Sequence, residues 1–287
     1  MYWVVLSFIM FVFSILLYAG YGAAFLEGMP RAISGFSAFS IGFAIIFLLA
    51  LFSGKSFIVP IDQLVLIIFS ALALSYLGNV FFLEGVKYAP NPGLVLAISK
   101  SYVILTTIAA AAFFGAAISL KAVIGIGLII VFSALIYIFS GENKAGNGDR
   151  VVWFGFAMDS FFCWAILSLM AKYLFGIGLD PLVFLAYIYL IVGFIYFIEI
   201  SPKNKLANYW KKNWKLMLAI GFFAAGFDAS MYLCISSAPN VGYVNAISLA
   251  SVSAVTLFSV LLFKDKITIW KTIGILGTTA GLIILVI

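Results

Sequence analysis

Three ionisable side chains lie inside long apolar stretches of this 287-residue chain: those of Lys100, Asp159 and Asp228. A charge within the hydrocarbon of a membrane is costly, and such residues usually line substrate pathways, bind ions or relay protons. A lysine and an aspartate together can bind both charged groups of a zwitterion, and a carboxylate can also carry a proton. Because the chain has no histidine, its carboxylates are the candidate groups for proton coupling.

Each of these residues also has a purely structural interpretation. Lys100 and Asp159 could form an ion pair that joins two helices without any part in function. Asp228 could be held by a hydrogen bond from a neighbouring hydroxyl group. Tyr102 and Trp164 could form aromatic walls of a cavity, but the chain has 30 Phe, 14 Tyr and 6 Trp residues. Most of these aromatic residues must pack or face lipid, so packing is the alternative for both.

The composition indicates that membrane-spanning elements must position these residues. Apolar residues make up 66% of the chain and charged residues 9%, with a mean hydropathy of +1.24. Ordinary soluble domains carry roughly 25% charged residues, so soluble, disordered, fibrous and nucleic-acid-binding classes are excluded. Cys163 and Cys234 lie in separate apolar segments and indicate neither a disulfide nor a thiolate metal site. We therefore expect no metal site and no cofactor.

Ten apolar runs are long enough to cross a membrane, each near the ~20 residues that a spanning helix needs. They are continuously apolar and do not alternate, which predicts helices rather than the strands of a barrel. The first run is too long for a signal peptide and lacks its cleavage site, so we interpret it as a spanning helix. The runs lie at about residues 2–26, 33–52, 62–84, 94–115, 119–140, 151–174, 179–200, 214–237, 242–263 and 268–287.

The chain repeats itself at an offset of 149 residues. Ala89-Pro90-Asn91-Pro92-Gly93 returns as Ala238-Pro239-Asn240-Val241-Gly242, and the match continues in register through Ala97-Ile98-Ser99 and Ala246-Ile247-Ser248. Each repeat holds five helices, and because five is odd, the second enters the membrane from the opposite side.

The repeat therefore predicts an all-α membrane protein with ten transmembrane helices in two inverted five-helix repeats. Residues 1–140 form the first half, 141–150 a linker loop and 151–287 the second half. Inverted repeats recur in secondary transporters, where exchanging the packing of the two halves opens the site to one side and then the other. We expect the two Ala-Pro-Asn turns to emerge at opposite membrane faces.

The helix rise predicts the depth of the candidate residues. At ~1.5 Å per residue, Lys100 lies ~9 Å and Asp159 ~12 Å from the same membrane face. Asn79, the repeat counterpart of Asp228, lies ~9 Å from that face, and Asp228 lies ~21 Å from it. Opposite charges at one depth predict that Lys100 and Asp159 interact, directly or through one water, in at least one state.

The same reasoning assigns the helices to a cavity and to the periphery. Helices three, four, eight and nine carry the clearest repeat and are predicted to line a central cavity, with helices one and six beside them. Helices five and ten are predicted to be peripheral. Gly277-x-x-x-Gly281 in helix ten permits close helix approach, within the chain or between chains.

Short motifs around the repeated turns carry a resemblance to a known family. Gly85-Val86-Lys87-Tyr88-Ala89-Pro90 ends helix three, and Ile235-Ser236-Ser237-Ala238-Pro239 follows helix eight. Lys264-Asp265-Lys266-Ile267-Thr268, with Gly274 and Gly281 after it, looks like the acidic loop and glycine-rich helix that end each half in this family; Gly115-Ala116-Ala117-Ile118-Ser119 has no acidic residue. On these motifs the whole chain resembles the drug/metabolite transporter superfamily, in particular its ten-helix EamA-type exporters.

The orientation in the membrane has two conflicting indications. With ten helices both termini lie on one side, and most of the 16 lysine and arginine residues lie on the other. The positive-inside rule places that other side in the cytoplasm and both termini outside. The family resemblance implies the opposite, with both termini in the cytoplasm, so the sequence leaves both orientations open.

We interpret the chain as a secondary active exporter of small polar or amphipathic metabolites such as amino acids. A cavity with lysine and aspartate suits a zwitterion, whereas Lys100 would repel a purely cationic drug. The expected partners are the small-molecule substrate, the lipid bilayer and protons as coupling ion, with no nucleic acid. We expect a multi-pass protein of the cell (inner) membrane that acts as a monomer or homodimer.

Three other functions are weighed against this one. A channel or a non-transporting receptor could also be built from inverted repeats. An intramembrane lipid-modifying enzyme is the third alternative, but such enzymes use clustered acids with a metal, histidine or a nucleophile set. This chain has no histidine, no Asp-x-x-Asp pair and no Gly-x-Ser-x-Gly elbow. We therefore expect that it is not an enzyme.

Overall fold

A computed structural model of the chain describes residues 2–89, 92–138, 147–200, 206–263 and 268–286. These residues form helices and connecting turns and contain no strand, which confirms the predicted all-α class. Among the described residues, eight helices are long and apolar enough to cross a membrane, and two shorter apolar helices complete the ten predicted runs. The helices are α1 (Tyr2–Leu26), α2 (Arg31–Phe52), α3 (Ile61–Tyr88), α4 (Pro92–Lys100 and Val103–Phe114), α5 (Leu120–Ile138), α6 (Asn147–Gly176), α7 (Pro181–Ile200), α8 (Leu206–Ser237), α9 (Val241–Phe263) and α10 (Ile269–Val286).

Helices α2, α3 and α4 depart from regular α-helical geometry in their interior, and α8 bends at Asn213. Helix α2 contains a π-helical stretch over Ser37–Ile41, and α3 contains one over Ser70–Tyr76. Helix α4 is interrupted by a turn at Ser101 and Tyr102. Irregular turns of this kind within helices often mark functional positions, because they re-aim the side chains that follow.

The helix bounds repeat at the offset that the sequence predicts. Helix α4 spans Pro92–Phe114, and 149 residues later α9 spans Val241–Phe263. Helices α5 and α10, which begin at Leu120 and Ile269, keep the same offset. The local structure therefore follows the sequence repeat across both halves of the chain.

Helices α5 and α10, which are repeat counterparts, pack against each other through their glycines. A methyl group built on Gly125 would lie 2.8 Å from the carbonyl oxygen of Gly281, and one on Gly274 would lie 2.9 Å from the carbonyl oxygen of Phe132. The two contacts are equivalent by the repeat, because Gly274 and Gly281 lie 149 residues after Gly125 and Phe132. The Gly277-x-x-x-Gly281 motif therefore serves packing within the chain, with Gly277 against the ring of Phe132.

This reciprocal contact fixes the relation between the two helices. Gly125 near the start of α5 meets the end of α10, and Phe132 further along α5 meets the start of α10, so the helices run antiparallel. Antiparallel counterparts with reciprocal contacts are related by a two-fold axis perpendicular to both, as an inverted repeat requires. In the first predicted turn, Pro90 and Asn91 lie outside the described residues, as do residues 141–146 of the predicted linker.

The chain divides into two compact units, each of which combines helices from both sequence halves. The first unit holds Leu77–Leu169 and Ser237–Ile287, and the second holds Tyr2–Tyr76 and Met170–Ser236. This division by packing differs from the division by sequence repeat, and the two five-helix halves as domains stay a prediction.

In the second unit, helices α2 and α7 are repeat counterparts that also run antiparallel. The ring of Tyr196 fills the space beside Gly35, and the ring of Tyr189 fills the space beside Gly42. Between them, the hydroxyl of Ser40 donates a hydrogen bond to the carbonyl oxygen of Gly193 at 3.2 Å. Glycine is required at both positions because any side chain would overlap the ring, and the close approach holds Tyr189 in a fixed position.

Candidate functional site

The first unit contains a break in α4 at the position of two predicted site residues. The first piece of α4 ends at Lys100, Ser101 and Tyr102 form a turn, and the second piece begins at Val103. The amide of Ser101 is shared between the carbonyls of Ala97 and Ile98, at 3.1 Å each. Interrupted spanning helices recur at the substrate and ion sites of secondary transporters.

Lys100 is buried, with 3% of its surface exposed, and its ammonium reaches across to α9. Its Nζ donates hydrogen bonds to Oγ of Ser248 at 2.9 Å and to the carbonyl oxygen of Ser248 at 3.1 Å. Both acceptors are uncharged. An anionic group attracts a buried cation more strongly than a neutral acceptor does, so this ammonium is a candidate contact for an anionic substrate group.

A hydrogen-bonded chain of polar side chains continues from the break along the same two helices. The hydroxyl of Tyr102 donates to Oδ1 of Asn245 at 3.3 Å, and Nδ2 of Asn245 donates to Oγ1 of Thr106 at 3.0 Å. All three side chains are buried. In the second repeated turn, Oδ1 of Asn240 accepts a hydrogen bond from the Gly242 amide at 2.8 Å and so caps the start of α9.

An aromatic surface from α6 lies against the same break. The ring of Trp164 meets that of Tyr102 edge-on with centroids 6.4 Å apart, and meets that of Phe82 at 5.4 Å. Trp164 also lies against Gly78 of α3, where an added methyl group would come within 2.9 Å of Nε1. Asn79, the next residue of α3, is half-buried. The structure therefore brings the predicted residues Tyr102 and Trp164 into contact, with Lys100 at the adjoining helix end.

Asp159 lies at the depth of Lys100 but points elsewhere in this conformation. The Oγ of Ser99 donates to the carbonyl oxygen of Ala157 at 3.3 Å, so this level of α6 does face α4. Ala157 is buried, whereas Asp159, two residues further and therefore on the far side of the helix, is exposed. The interaction between Lys100 and Asp159 stays a prediction for another state.

The second unit holds the other intramembrane carboxylate, that of Asp228 on α8. The hydroxyl of Tyr189 donates a hydrogen bond to Oδ2 of Asp228 at 2.6 Å. The phenol of Tyr21 lies within electrostatic range of the same carboxylate, and that of Tyr232 within range of Tyr189. Asp228 is half-buried, while Tyr189 and Tyr232 are buried. Asp228 is thus held by a hydroxyl group, the structural role that the sequence left open beside a functional one.

Two other charged residues of the second unit have partners that the sequence analysis did not find. Arg31 at the start of α2 donates to Glu199 near the end of α7, with Nη2 to Oε2 at 3.3 Å, and the hydroxyl of Tyr76 donates to the same carboxylate. Lys172 of α6 donates to the carbonyl oxygen of Ile235 at 2.9 Å, at the C-terminal end of α8. A cation at a helix C-terminus satisfies carbonyls that lack partners within the helix.

The residues missed by sequence reasoning at the α4 break are Ser248, Asn245 and Thr106. Ser248 belongs to the repeated stretch, as the counterpart of Ser99, so the repeat itself was the signal that could have identified it. Among the described residues, no group of three or more His, Cys, Asp or Glu side chains is placed to hold a metal ion.

Comparisons with known proteins agree with a membrane transporter fold. The EamA-like transporter family matches residues 152–287, which confirms the resemblance to the drug/metabolite transporter superfamily. A solved structure described only as the crystal structure of a protein has the same fold, with a TM-score of 0.81 at 14% identity over 98% of this chain and 95% of that one. No curated protein matches the chain.

Proposed function

We propose that this chain, whose residues 152–287 match the EamA-like transporter family, exports small polar or amphipathic metabolites, with amino acids the preferred class. The family implies a multi-pass membrane transporter of the drug/metabolite transporter superfamily. Besides this substrate class, we propose export as the direction of transport, alternating access as the mechanism and the cell inner membrane as the location.

The observation that carries this proposal is the buried ammonium of Lys100 at the break in α4. Two hydrogen bonds of this ammonium go to the hydroxyl and carbonyl oxygens of Ser248, and both of these acceptors are neutral. A substrate carboxylate that displaces Ser248 exchanges a neutral acceptor for a charged one. A buried ammonium attracts a carboxylate more strongly than it attracts a neutral acceptor, so this exchange favours an anionic substrate group.

The surroundings of Lys100 support a substrate with an apolar part and a second polar group. Tyr102 and Trp164 present aromatic rings beside the break and can pack against an apolar side chain. Asn245 offers an amide that can accept from, or donate to, a polar substrate group. In a state that turns α6 toward α4, Asp159 would bind the substrate ammonium. These groups suit an amino acid better than a purely cationic drug, which Lys100 repels.

The proposed alternating access uses the asymmetry of the contact between α4 and α9. The repeat counterparts of Lys100 and Ser248 are Leu249 and Ser99. If the two halves exchange their packing, a Leu249–Ser99 contact replaces the Lys100–Ser248 contact. Lys100 then leaves Ser248, and its ammonium becomes available to a carboxylate. The proposed cycle thus couples substrate binding to the exchange of the halves.

Asp228 is the proposed proton-coupling group. Its carboxylate lies in a spanning helix and accepts a hydrogen bond from the buried Tyr189. Protonation would remove the charge that this hydrogen bond stabilises and would weaken the hold of α7 on α8. A titratable group that joins two helices is suited to link proton binding to helix movement.

The proposal is tested by counterflow of labelled amino acids in liposomes that contain the purified protein. Saturable counterflow by the wild type, and its loss in Lys100→Met, would support a carrier that uses this lysine. Lys87→Gln is the matched control, because it removes an exposed positive charge that pairs with Glu84 on the same helix. Flux without counterflow would indicate a channel instead, and flux that Lys100→Met leaves intact would overturn the assigned site.

A further inference from the structure

The first turns of α8 form a segment with a direction of its own. The backbone of Asn213 departs from helical geometry, with φ −128° and ψ 22°, so the helix bends there. We refer to Leu206–Lys215, the first turns of α8 together with the bend, as the entry segment. It precedes the apolar part of α8, and two further lysines, Lys203 and Lys205, precede it in the sequence.

One face of the entry segment is held against the turn between α1 and α2. The hydroxyl of Tyr209 donates to the carbonyl oxygen of Gly28 at 3.4 Å. The Nζ of Lys212 forms an ion pair with Oε2 of Glu27 at 2.9 Å. The segment is therefore docked on the turn between α1 and α2, within the second unit.

The exposed side of the entry segment, which we call its outer face, carries two tryptophans and two lysines. Trp210 and Trp214, the tryptophan row, lie on either side of the bend at Asn213 and are 41% and 44% exposed. Lys211 and Lys215 are also exposed, and Nζ of Lys215 lies 5.6 Å from the ring centroid of Trp214. Within the described residues, no carboxylate lies at ion-pair distance from Lys211 or Lys215.

We propose that this outer face binds the headgroup of an anionic phospholipid. Exposed tryptophan side chains favour the boundary between headgroups and acyl chains, and the adjoining lysines complement a headgroup phosphate at that level. A free phosphate ion would bind the lysines but would leave the tryptophan row without an apolar environment. The charge and the apolar row together therefore fit a lipid rather than a soluble anion. The inference is independent of the transported substrate.

The ion pair with Glu27 divides the lysines of the segment into two classes. Lys212 is neutralised by Glu27 and contributes little to the attraction of an anionic lipid, whereas Lys211 and Lys215 contribute fully. A basic residue near an anionic surface contributes about fivefold to affinity. The chain thus supplies its own control, a lysine in the same segment with its charge already compensated.

The test is native mass spectrometry of the purified protein titrated with phosphatidylglycerol and, separately, with phosphatidylcholine. We expect Lys211→Gln and Lys215→Gln each to lower phosphatidylglycerol affinity about fivefold and Lys212→Gln to lower it less than twofold. Glu27→Gln releases the charge of Lys212 and is expected to raise the affinity several-fold. Thermal unfolding of each variant checks that these exposed substitutions leave the fold intact.

Three results would overturn the proposal. Equal losses for all three lysine variants would show a diffuse charge effect without a site on the outer face. If the wild type binds phosphatidylcholine as tightly as phosphatidylglycerol, the headgroup charge is irrelevant. Complete competition by millimolar inorganic phosphate would show a site for soluble anions. Selective loss in Lys211→Gln and Lys215→Gln, with gain in Glu27→Gln, supports the lipid site.

Discussion

The ammonium of Lys100 meets the hydroxyl of Ser248, 2.9 Å away, where α4 crosses its own repeat counterpart α9. Ser248 is the counterpart of Ser99, the residue before Lys100, so the contact lies within one residue of the pseudo-two-fold axis between the helices. At such a crossing the two halves differ only by their side chains. Only one of the two equivalent positions holds a lysine, because the counterpart of Lys100 is Leu249. The contact therefore changes if the two halves exchange their packing.

Lys100 and Ser248 are therefore predicted to respond differently to substitution. Lys100→Met should lower substrate affinity by ~10–100-fold, as expected for a lost charged hydrogen bond of roughly 1.5–3 kcal/mol. Ser248→Ala should tighten binding several-fold, because the substrate no longer competes with the serine for the ammonium. Isothermal titration with the transported amino acid measures both. Equal weakening in both variants would indicate that the pair only joins α4 to α9.

The reciprocal glycine contacts of α5 and α10 make a second prediction. Gly125→Ala and Gly274→Ala should each destabilise the protein by about 1–3 kcal/mol, because their methyl groups would overlap the facing helix. Gly127→Ala is the control: nothing lies within 4 Å of its added methyl group, and helix propensity favours alanine by roughly 0.5–1 kcal/mol. Thermal unfolding in one detergent compares the three, and similar shifts for all would contradict the packing described.

The sequence predicted the elements well because their signals are local or periodic. Run length identified ten helices, and the offset of 149 residues identified the counterparts that pack in pairs. The break in α4 carries no such signal, because the stretch around Ser101 has neither glycine nor proline. It lies beside the contact between Lys100 and Ser248 of α9, and the register of α4 against α9 depends on packing.

The candidate site was predictable in depth but not in direction. Helix rise places Asp159 level with Lys100, and the Ser99–Ala157 hydrogen bond agrees with that level. The rotation of α6 about its axis decides which residue faces α4, and it depends on packing along the whole helix. Here the small, buried Ala157 takes that position and Asp159 is exposed. The sequence predicts how far along a helix a residue lies. The rotation of the helix about its axis depends on its contacts with other helices.

The third prediction concerns the carboxylate of Asp228. Asp228→Asn should abolish uptake driven by a pH gradient while leaving amino acid counterflow measurable, because exchange needs no net proton movement. Tyr189→Phe removes the donor at 2.6 Å and should shift the pH dependence of driven transport without abolishing it. Transport assays in liposomes with imposed pH gradients measure both. Unchanged driven uptake in Asp228→Asn would remove this residue from the coupling mechanism.

The fourth prediction follows from the ion pair between Lys55 and Asp180, at 2.8 Å outside the spanning helices. The hydrogen bond to Asp180, reinforced by charge attraction, raises the pKa of Lys55 above its ordinary value. The stability from this pair is fully present below the ordinary lysine pKa and is lost as the pH rises through the raised one. Lys55→Gln should therefore lower Tm slightly at neutral pH, and the difference should vanish at strongly alkaline pH.

The control for that experiment is Lys121→Gln, at an exposed lysine near the start of α5. Its effect on Tm should be small at every pH. Asp180→Asn should reproduce the loss seen in Lys55→Gln and keep the cap of α7, since the amide oxygen can still accept from the Leu182 amide. A Tm difference for Lys55→Gln that persists at high pH would show that the lysine stabilises by packing alone.

The last prediction concerns Lys100 and Asp159 in the state that the exchange of halves would produce. Lys100→Ala and Asp159→Ala should each impair transport, and stranding a buried partner costs several kcal/mol in any state that forms the pair. The double variant should then be more stable than the sum of the single effects predicts. Thermal unfolding and counterflow on all four proteins separate the roles. A folded double variant that still transports would make the pair structural, and a folded but inactive one is expected if Lys100 binds substrate. Additive effects, within about 0.3–0.5 kcal/mol, would show that the two residues never meet.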